Sequence, residues 1–251
     1  NMVVSCMKEI LDHSERLTRA EIEKIPDGTY SFTDYCDGDG VTDEPIKIQV
    51  ALTIKGSNVV VDFTGTQEQV IGGMNAPLAV TASSVQFAIK AATDPLNPAN
   101  SGCYRPVKII APEGTVVNPR LPASVVAANH ETAMTIVAAV VGALDQASEA
   151  NPERVTAAGS GSSIPIVFGG RDLMLGKKGR YYIFHFVQGG AWGARYNKDG
   201  ISALRDGVGN TGNTPVEVVE TEYPIIMESY GLVPDGGGPG KFRGGLPARS
   251  I

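Results

Sequence analysis

Histidine is scarce in this chain, with three among 251 residues, at His13, His130 and His185. A complete histidine-rich catalytic metal site within these residues is therefore not expected. Cysteine is scarce too. Cys6, Cys36 and Cys103 are an odd count, widely spaced, with no CxxC pair and no disulfide framework. Reduced, mostly buried thiols in a cytoplasmic protein are the expectation. No apolar run approaches the roughly 18–20 residues of a membrane span, because even Ala133–Leu144 is interrupted by Thr135 and Gly142. No basic segment followed by an apolar one and a cleavage site marks a secretory signal. A basic excess is also missing: 21 Lys and Arg stand against 27 Asp and Glu, a net charge of −6. That balance argues against a nucleic-acid partner.

What is present is a core-forming chain. Apolar residues are 42% of the total and charged residues 19%, so the chain can bury a core. Thirty glycines and sixteen prolines punctuate the apolar runs and predict a turn-rich fold. The chain opens inside an amphipathic helix, with Val3, Met7 and Leu11 on one stripe and Cys6, Ile10, His13 and Leu17 beside it. A start at Asn1 in mid-helix leads us to expect a piece of a longer polypeptide. Thr29–Tyr35, Ile46–Ile54 and Asn58–Phe63 alternate as strands, the last two joined by a turn at Lys55–Asn58. Asn75-Ala76-Pro77 predicts a capped helix start, with Leu78, Val85, Ala88, Ile89 and Ala92 at helical spacing until Asp94-Pro95. Val107–Ala111 is a short strand. Ala133 to about Ala147 predicts a helix apolar on nearly every side, which belongs inside a domain. From Arg154 onward the text is strand-like, with glycine-rich loops. The predicted class is α+β: mostly antiparallel sheet packed against a few helices, one of them buried and central.

Several motifs begin and fail. His130-Glu131-Thr132-Ala133 starts like HExxH, but Met134 stands where the second histidine is needed. Asp235–Lys241 resembles a phosphate loop, yet Phe242 replaces the Ser or Thr and no helix is predicted after it. Asp37-Gly38-Asp39-Gly40 starts like a calcium loop, but Val41 occupies the third ligand position. What remain are polar clusters. Asp37, Asp39, Asp43 and Glu44 crowd one loop, as a solvated turn or as a site for a donor-rich ligand. Asn129, His130 and Glu131 sit at the mouth of the buried helix, as its cap or as the edge of an active site. Trp192 lies between glycines with Arg195 close behind, either a tight turn or a ligand-approached backbone. Asn210 and Asn213 form an Asx-turn or an amide-binding loop.

Taken in order, the blocks of the chain resemble a known family. They are Asp34-Tyr35-Cys36-Asp37-Gly38-Asp39-Gly40, Val61-Asp62-Phe63-Thr64-Gly65-Thr66, Asn75-Ala76-Pro77-Leu78-Ala79-Val80-Thr81 and Gly102-Cys103-Tyr104-Arg105-Pro106-Val107. They continue with Ala111-Pro112-Glu113-Gly114-Thr115, Asn118-Pro119, Gly193-Ala194-Arg195, Asn213-Thr214-Pro215-Val216-Glu217 and Gly240-Lys241-Phe242-Arg243-Gly244-Gly245. The series resembles the hydantoinase B / oxoprolinase family over essentially the whole chain. That family holds the B-type subunit, or C-terminal half, of ATP-dependent 5-oxoprolinases and N-methylhydantoinases, with related acetone and acetophenone carboxylase subunits. Many members carry a His-Thr-His stretch where this chain reads Ser202–Gly209, so a role for those histidines does not carry over.

The resemblance implies a division of labour. An A-type partner, in a hetero-oligomer, uses ATP to phosphorylate the carbonyl oxygen of a small cyclic amide substrate. The B-type subunit then completes ring opening by water, or in the alternative the carboxylation of an enol phosphate. A third alternative is a non-catalytic assembly portion. ATP would sit on the partner. A divalent metal is implied in the N-terminal part of the B-type subunit, expected upstream of Asn1, with this chain a single region of the rest. On this basis Asn129, His130 and Glu131 are the candidate catalytic residues. Asp39, Arg105, Trp192, Arg195, Asn210 and Asn213 are the candidate substrate-binding residues. Arg105, on a loop held by glycine and proline, would grip an anion in the cleft that Asn129, His130, Glu131 and Asp39 line.

Overall fold

The structure is a computed structural model that describes residues 2–147, 156–161, 164–172, 179–205, 207–209 and 212–251. The chain forms two compact units, Asn1–Val155 and Thr156–Ile251. The architecture is mixed α+β.

In the first unit, helix α1 (Met2–Ile22) leads into strands β1 (Gly28–Cys36), β2 (Ile46–Lys55) and β3 (Asn58–Asp62). β1 and β3 both pair antiparallel with β2. The β2–β3 connection is tight because Gly56 takes a φ of +55°, which only glycine adopts cheaply. Its amide donates to Asp27 Oδ1 at 2.8 Å, tying the turn to the start of β1. A long crossover through α2 (Leu78–Ala92) then returns to β4 (Val107–Ile110), which pairs parallel with β3. This pairing is the exception to the antiparallel expectation, and a parallel neighbour needs such a crossover.

Strict alternation along β2 puts Ile46, Ile48, Val50, Leu52 and Ile54 on one buried face. Val59 and Val61 of β3 extend that face. Helix α3 (Ala133–Ala147) covers it, packing on β1, β2 and α2. Close approach is possible because α3 carries Gly142 under the Phe32 ring, where an added Cβ would lie 2.8 Å from ring carbons. Helix α2 buries Thr81, Ser84, Val85, Ala88 and Ile89 as a single stripe. Its start differs from the expectation. Leu78 is half exposed, and Pro77 precedes the helix with no side-chain cap, because Asn75 is engaged elsewhere.

The second unit contains the antiparallel pair β5 (Ile164–Asp172) and β6 (Arg180–Gln188), helix α4 (Val216–Glu222), and the short pair β7 (Tyr230–Leu232) and β8 (Ala248–Ser250). Phe184, Phe186 and Val219 form its core, with Ile166, Tyr182, Tyr223, Ile225 and Met227 packed around them. α4 falls in a region whose sequence reads as strand. Its valines are β-branched, but Pro215 fixes φ at −55° just before the first turn and Glu217 favours the helix's positive end. No described helix is long and apolar enough to cross a membrane.

Leu52, fully buried beneath α3, should be costly to truncate. Leu52→Ala is expected to lower unfolding free energy by about 2–5 kcal/mol. Leu121→Ala, at a side chain 96% exposed, should stay within about 0.5 kcal/mol of wild type. Urea unfolding of the two variants checks both figures.

Candidate functional site

The polar residues gather at one end of the first unit's sheet, where β1 ends and β2 begins. Cys36, the last residue of β1, puts its Sγ 3.1 Å from Thr135 Oγ1 in the first turn of α3. Burial pushes the Cys36 thiol above its ordinary pKa, so it stays a neutral thiol. Immediately before α3 the chain makes one wider π-helical turn, Ala128–Thr132. The amide of Ala133 reaches back five residues to the Ala128 carbonyl. Such turns disturb a helix and recur at functional sites. Asn129 is exposed within this turn and does not cap the helix. His130 Nδ1 lies 3.2 Å from Glu131 Oε1, with each side chain about a quarter exposed. A carboxylate on Nδ1 fixes an imidazole's orientation, as an acid–base histidine requires.

Asp39 stands on the facing loop, and its carboxylate is fully committed. Oδ1 accepts from the Val41 and Thr42 amides at 2.8 and 2.7 Å and from the Thr42 hydroxyl at 3.3 Å. Oδ2 accepts from the Gly72 amide at 2.7 Å. The backbone amides of Thr42, Gly72 and Val41 hold its pKa at about 2. Three donors on Oδ1 and one on Oδ2 tie the carboxylate to its own loop and to Gly72, so Asp39 holds the loop in place. Gly72 and Gly73 bridge the Asp39 loop to the π-turn, since the Ala127 amide donates to the Gly73 carbonyl at 2.9 Å. Neither glycine has room for a side chain. A Cβ on Gly72 would fall 1.9 Å from the Asp39 carbonyl oxygen, and one on Gly73 would fall 2.5 Å from Val126.

Arg105 is not in this group, which corrects the sequence expectation. It precedes β4 at the opposite end of the sheet. The length of β2, roughly 30 Å at about 3.3 Å per residue, separates the two ends. Arg105 Nη1 donates to Asp12 Oδ1 at 2.7 Å and to Glu15 Oε2 at 2.9 Å, both on α1. Its partners satisfy its charge and it fastens a loop to a helix. In the second unit, Trp192 and Arg195 do come together, with the guanidinium 5.8 Å from the indole centroid. The indole Nε1 donates to the Arg205 carbonyl at 3.1 Å. Asn213 donates to the Tyr230 hydroxyl. Asn210 lies outside the described residues. Among the described residues no three His, Cys, Asp or Glu side chains converge to hold a metal.

The hydantoinase B/oxoprolinase family model matches residues 1–250. The chain belongs to that family. The B-type subunit of a putative D-/L-hydantoinase from a Pseudomonas species is 34% identical over 97% of this chain and 41% of its own length. An uncharacterized protein of Methanocaldococcus jannaschii is 39% identical over 99% of this chain and 41% of its own length. Among solved structures, the ATP-dependent caprolactamase of Pseudomonas jessenii superposes with a TM-score of 0.83 at 30% identity, over 99% of this chain and 42% of that one. The chain thus spans about two fifths of the length of these relatives.

Three further residues build the site, none of them a candidate site residue from the sequence. Buried Asn75 accepts from the Val70 amide and donates to the carbonyls of Val70, Gly72 and Ser124, closing the loop that carries Gly72. Thr132 donates to the Met74 carbonyl, and Thr135 meets Cys36. The only signal for Asn75 is an asparagine before Ala-Pro, which reads equally well as a cap.

Two outcomes follow. Folding lowers the Asp39 pKa from 3.8 to about 2. Its contribution to stability is therefore full above the ordinary value and is lost as the pH falls through the lower one. Asp39→Asn should melt well below wild type at neutral pH, with the gap closing between those two values in a pH series of melting curves. Arg105→Ala should lower the melting temperature and weaken protection of α1 amides from hydrogen exchange.

Proposed function

We propose that this chain is part of an ATP-dependent cyclic amide hydrolase and works with a partner subunit that phosphorylates the substrate's carbonyl oxygen. The observation that carries this reading is the match across residues 1–250 to a family whose members include subunits named for opening cyclic amides. The chemistry explains the need for two parts. A lactam carbonyl is a poor electrophile and its nitrogen a poor leaving group. A phosphorylated oxygen makes the carbon reactive, and water then adds. The C–N bond then breaks as the nitrogen takes up a proton, leaving an acyl phosphate, and a second water cleaves that to release phosphate. A carboxylate and a free amine remain.

In this scheme ATP belongs to the partner. Gly236–Lys241 is followed by loop and the short strand β8, with none of the helix that a phosphate loop opens. The π-turn supplies the proton handling. His130, held through Nδ1 by Glu131, takes a proton from the attacking water and delivers one to the ring nitrogen. Asn129, exposed beside it, offers an amide donor and acceptor to the ring. Asp39 acts at one remove, by holding the loop that faces them. The complete enzyme is a cytoplasmic hetero-oligomer.

The test uses the complete assembly with ATP and a five- to seven-membered cyclic amide. Ring-opened amino acid should appear with ADP and phosphate. Incorporation of labelled bicarbonate in place of ring opening would identify a carboxylase instead. His130→Ala should lower kcat about 10²–10⁴-fold. Turnover is taken per folded molecule, because the side chain is mostly buried against its neighbours and meets Glu131. Normal turnover in that variant would remove His130 from the chemistry.

A further inference from the structure

The second unit holds a cleft of about 350 Å³, a volume that suits a small molecule. Apart from Trp192, Phe242 and Ser160, its lining residues are glycine, alanine or proline, so a ligand there meets mostly backbone. The walls are pre-formed. A Cβ on Gly193 would lie 1.9 Å from the Ala157 carbonyl oxygen, and one on Gly245 would lie 2.2 Å from that of Ile201. These loops are locked against one another, and Trp192 is oriented by its hydrogen bond to the Arg205 carbonyl.

The loops that supply the lining are rich in cations. Segments 191–205 and 235–249, which supply most of the lining, contain Arg195, Lys198, Arg205, Lys241, Arg243 and Arg249 against only Asp199 and Asp235. Asp199 already accepts the Arg243 amide at 2.8 Å. Among the described residues none of these six cations is paired with a carboxylate. Two of them sit instead on the aromatic rings that line the cleft, Arg195 on Trp192 at 5.8 Å and Lys241 on Phe242 at 5.5 Å. The Nε of Arg205 is buried with no hydrogen-bond partner. Among the described residues no carboxylate side chain lines the cleft.

We propose that this cleft binds a small organic oxyanion, a carboxylate or a phosphate ester on a flat apolar body. The body lies against Trp192 and Phe242, and the oxyanion takes its charge-assisted hydrogen bonds from Arg195 and Lys241. A cation would be repelled by these loops, and a neutral ligand would leave their charge unused. Binding needs neither ATP nor a partner subunit, so this assignment and the hydrolase reading can fail independently.

Trp192 is the chain's single tryptophan, and its emission reports on the cleft. The chain is titrated with phenyl phosphate, benzoate, benzamide and inorganic phosphate, following emission and heat together. Phenyl phosphate or benzoate should bind saturably, and the better of the two names the oxyanion. Benzamide should bind at least about tenfold more weakly, as loss of one charge-assisted contact predicts. Rising salt should weaken binding. Lys241→Glu, at an exposed position that folding does not depend on, should weaken the better ligand about tenfold or more with melting unchanged. Arg195→Gln should do the same. Absence of any saturable change in both signals, benzamide binding as tightly as benzoate, or a Lys241→Glu chain with wild-type affinity would each overturn the proposal. Inorganic phosphate binding as tightly as phenyl phosphate would overturn the role of the aromatic walls.

Discussion

The apolar face of β2, closed by α3, positions nearly everything else in the first unit. Ile46, Ile48, Val50, Leu52 and Ile54 point one way, and a one-residue slip would turn all of them to solvent. That burial fixes where β1 ends, and Cys36 at its end meets Thr135 of α3. The π-turn is thereby set directly beyond the sheet, opposite the loop that Asp39 holds. The candidate site is a by-product of core packing, built from the ends of elements whose middles are buried.

This also explains what the sequence reveals. Alternation and helical spacing are local, and they mark β1, β2, β3, α2 and α3 within a residue or two. α4 escapes because its valines favour strands, and a single proline reverses that preference. The parallel partner of β3 escapes because pairing depends on a crossover whose end point no local pattern encodes. The site residues divide in the same way. The grouping of Asn129, His130 and Glu131 at the mouth of α3 is legible from the chain. The fate of Arg105 is not, because its acidic partners lie some ninety residues earlier on a face of α1 that only the folded unit brings near.

The two units use their cations differently. In the first, Arg16, Arg19, Arg105 and Arg120 each have a carboxylate within reach. They are structural fasteners, individually of modest worth at a surface. In the second, Arg195 and Lys241 sit on aromatic rings of the cleft. Among the described residues, the arginines of the first unit are paired with carboxylates, and those around the cleft of the second are not.

The fastening of α1 has a consequence for synthesis of the chain. Its inner face is completed by Asn97, which reaches the Ser14 carbonyl and the Thr18 hydroxyl, by Asn100 on Ser14, and by Arg105 on Asp12 and Glu15. All of these partners are translated some eighty to ninety residues later. The helix therefore emerges from the ribosome long before these partners can cover it. Until Asn97, Asn100 and Arg105 have been made, the inner face of α1 lacks its covering, so the first unit can close only after that crossover is synthesised.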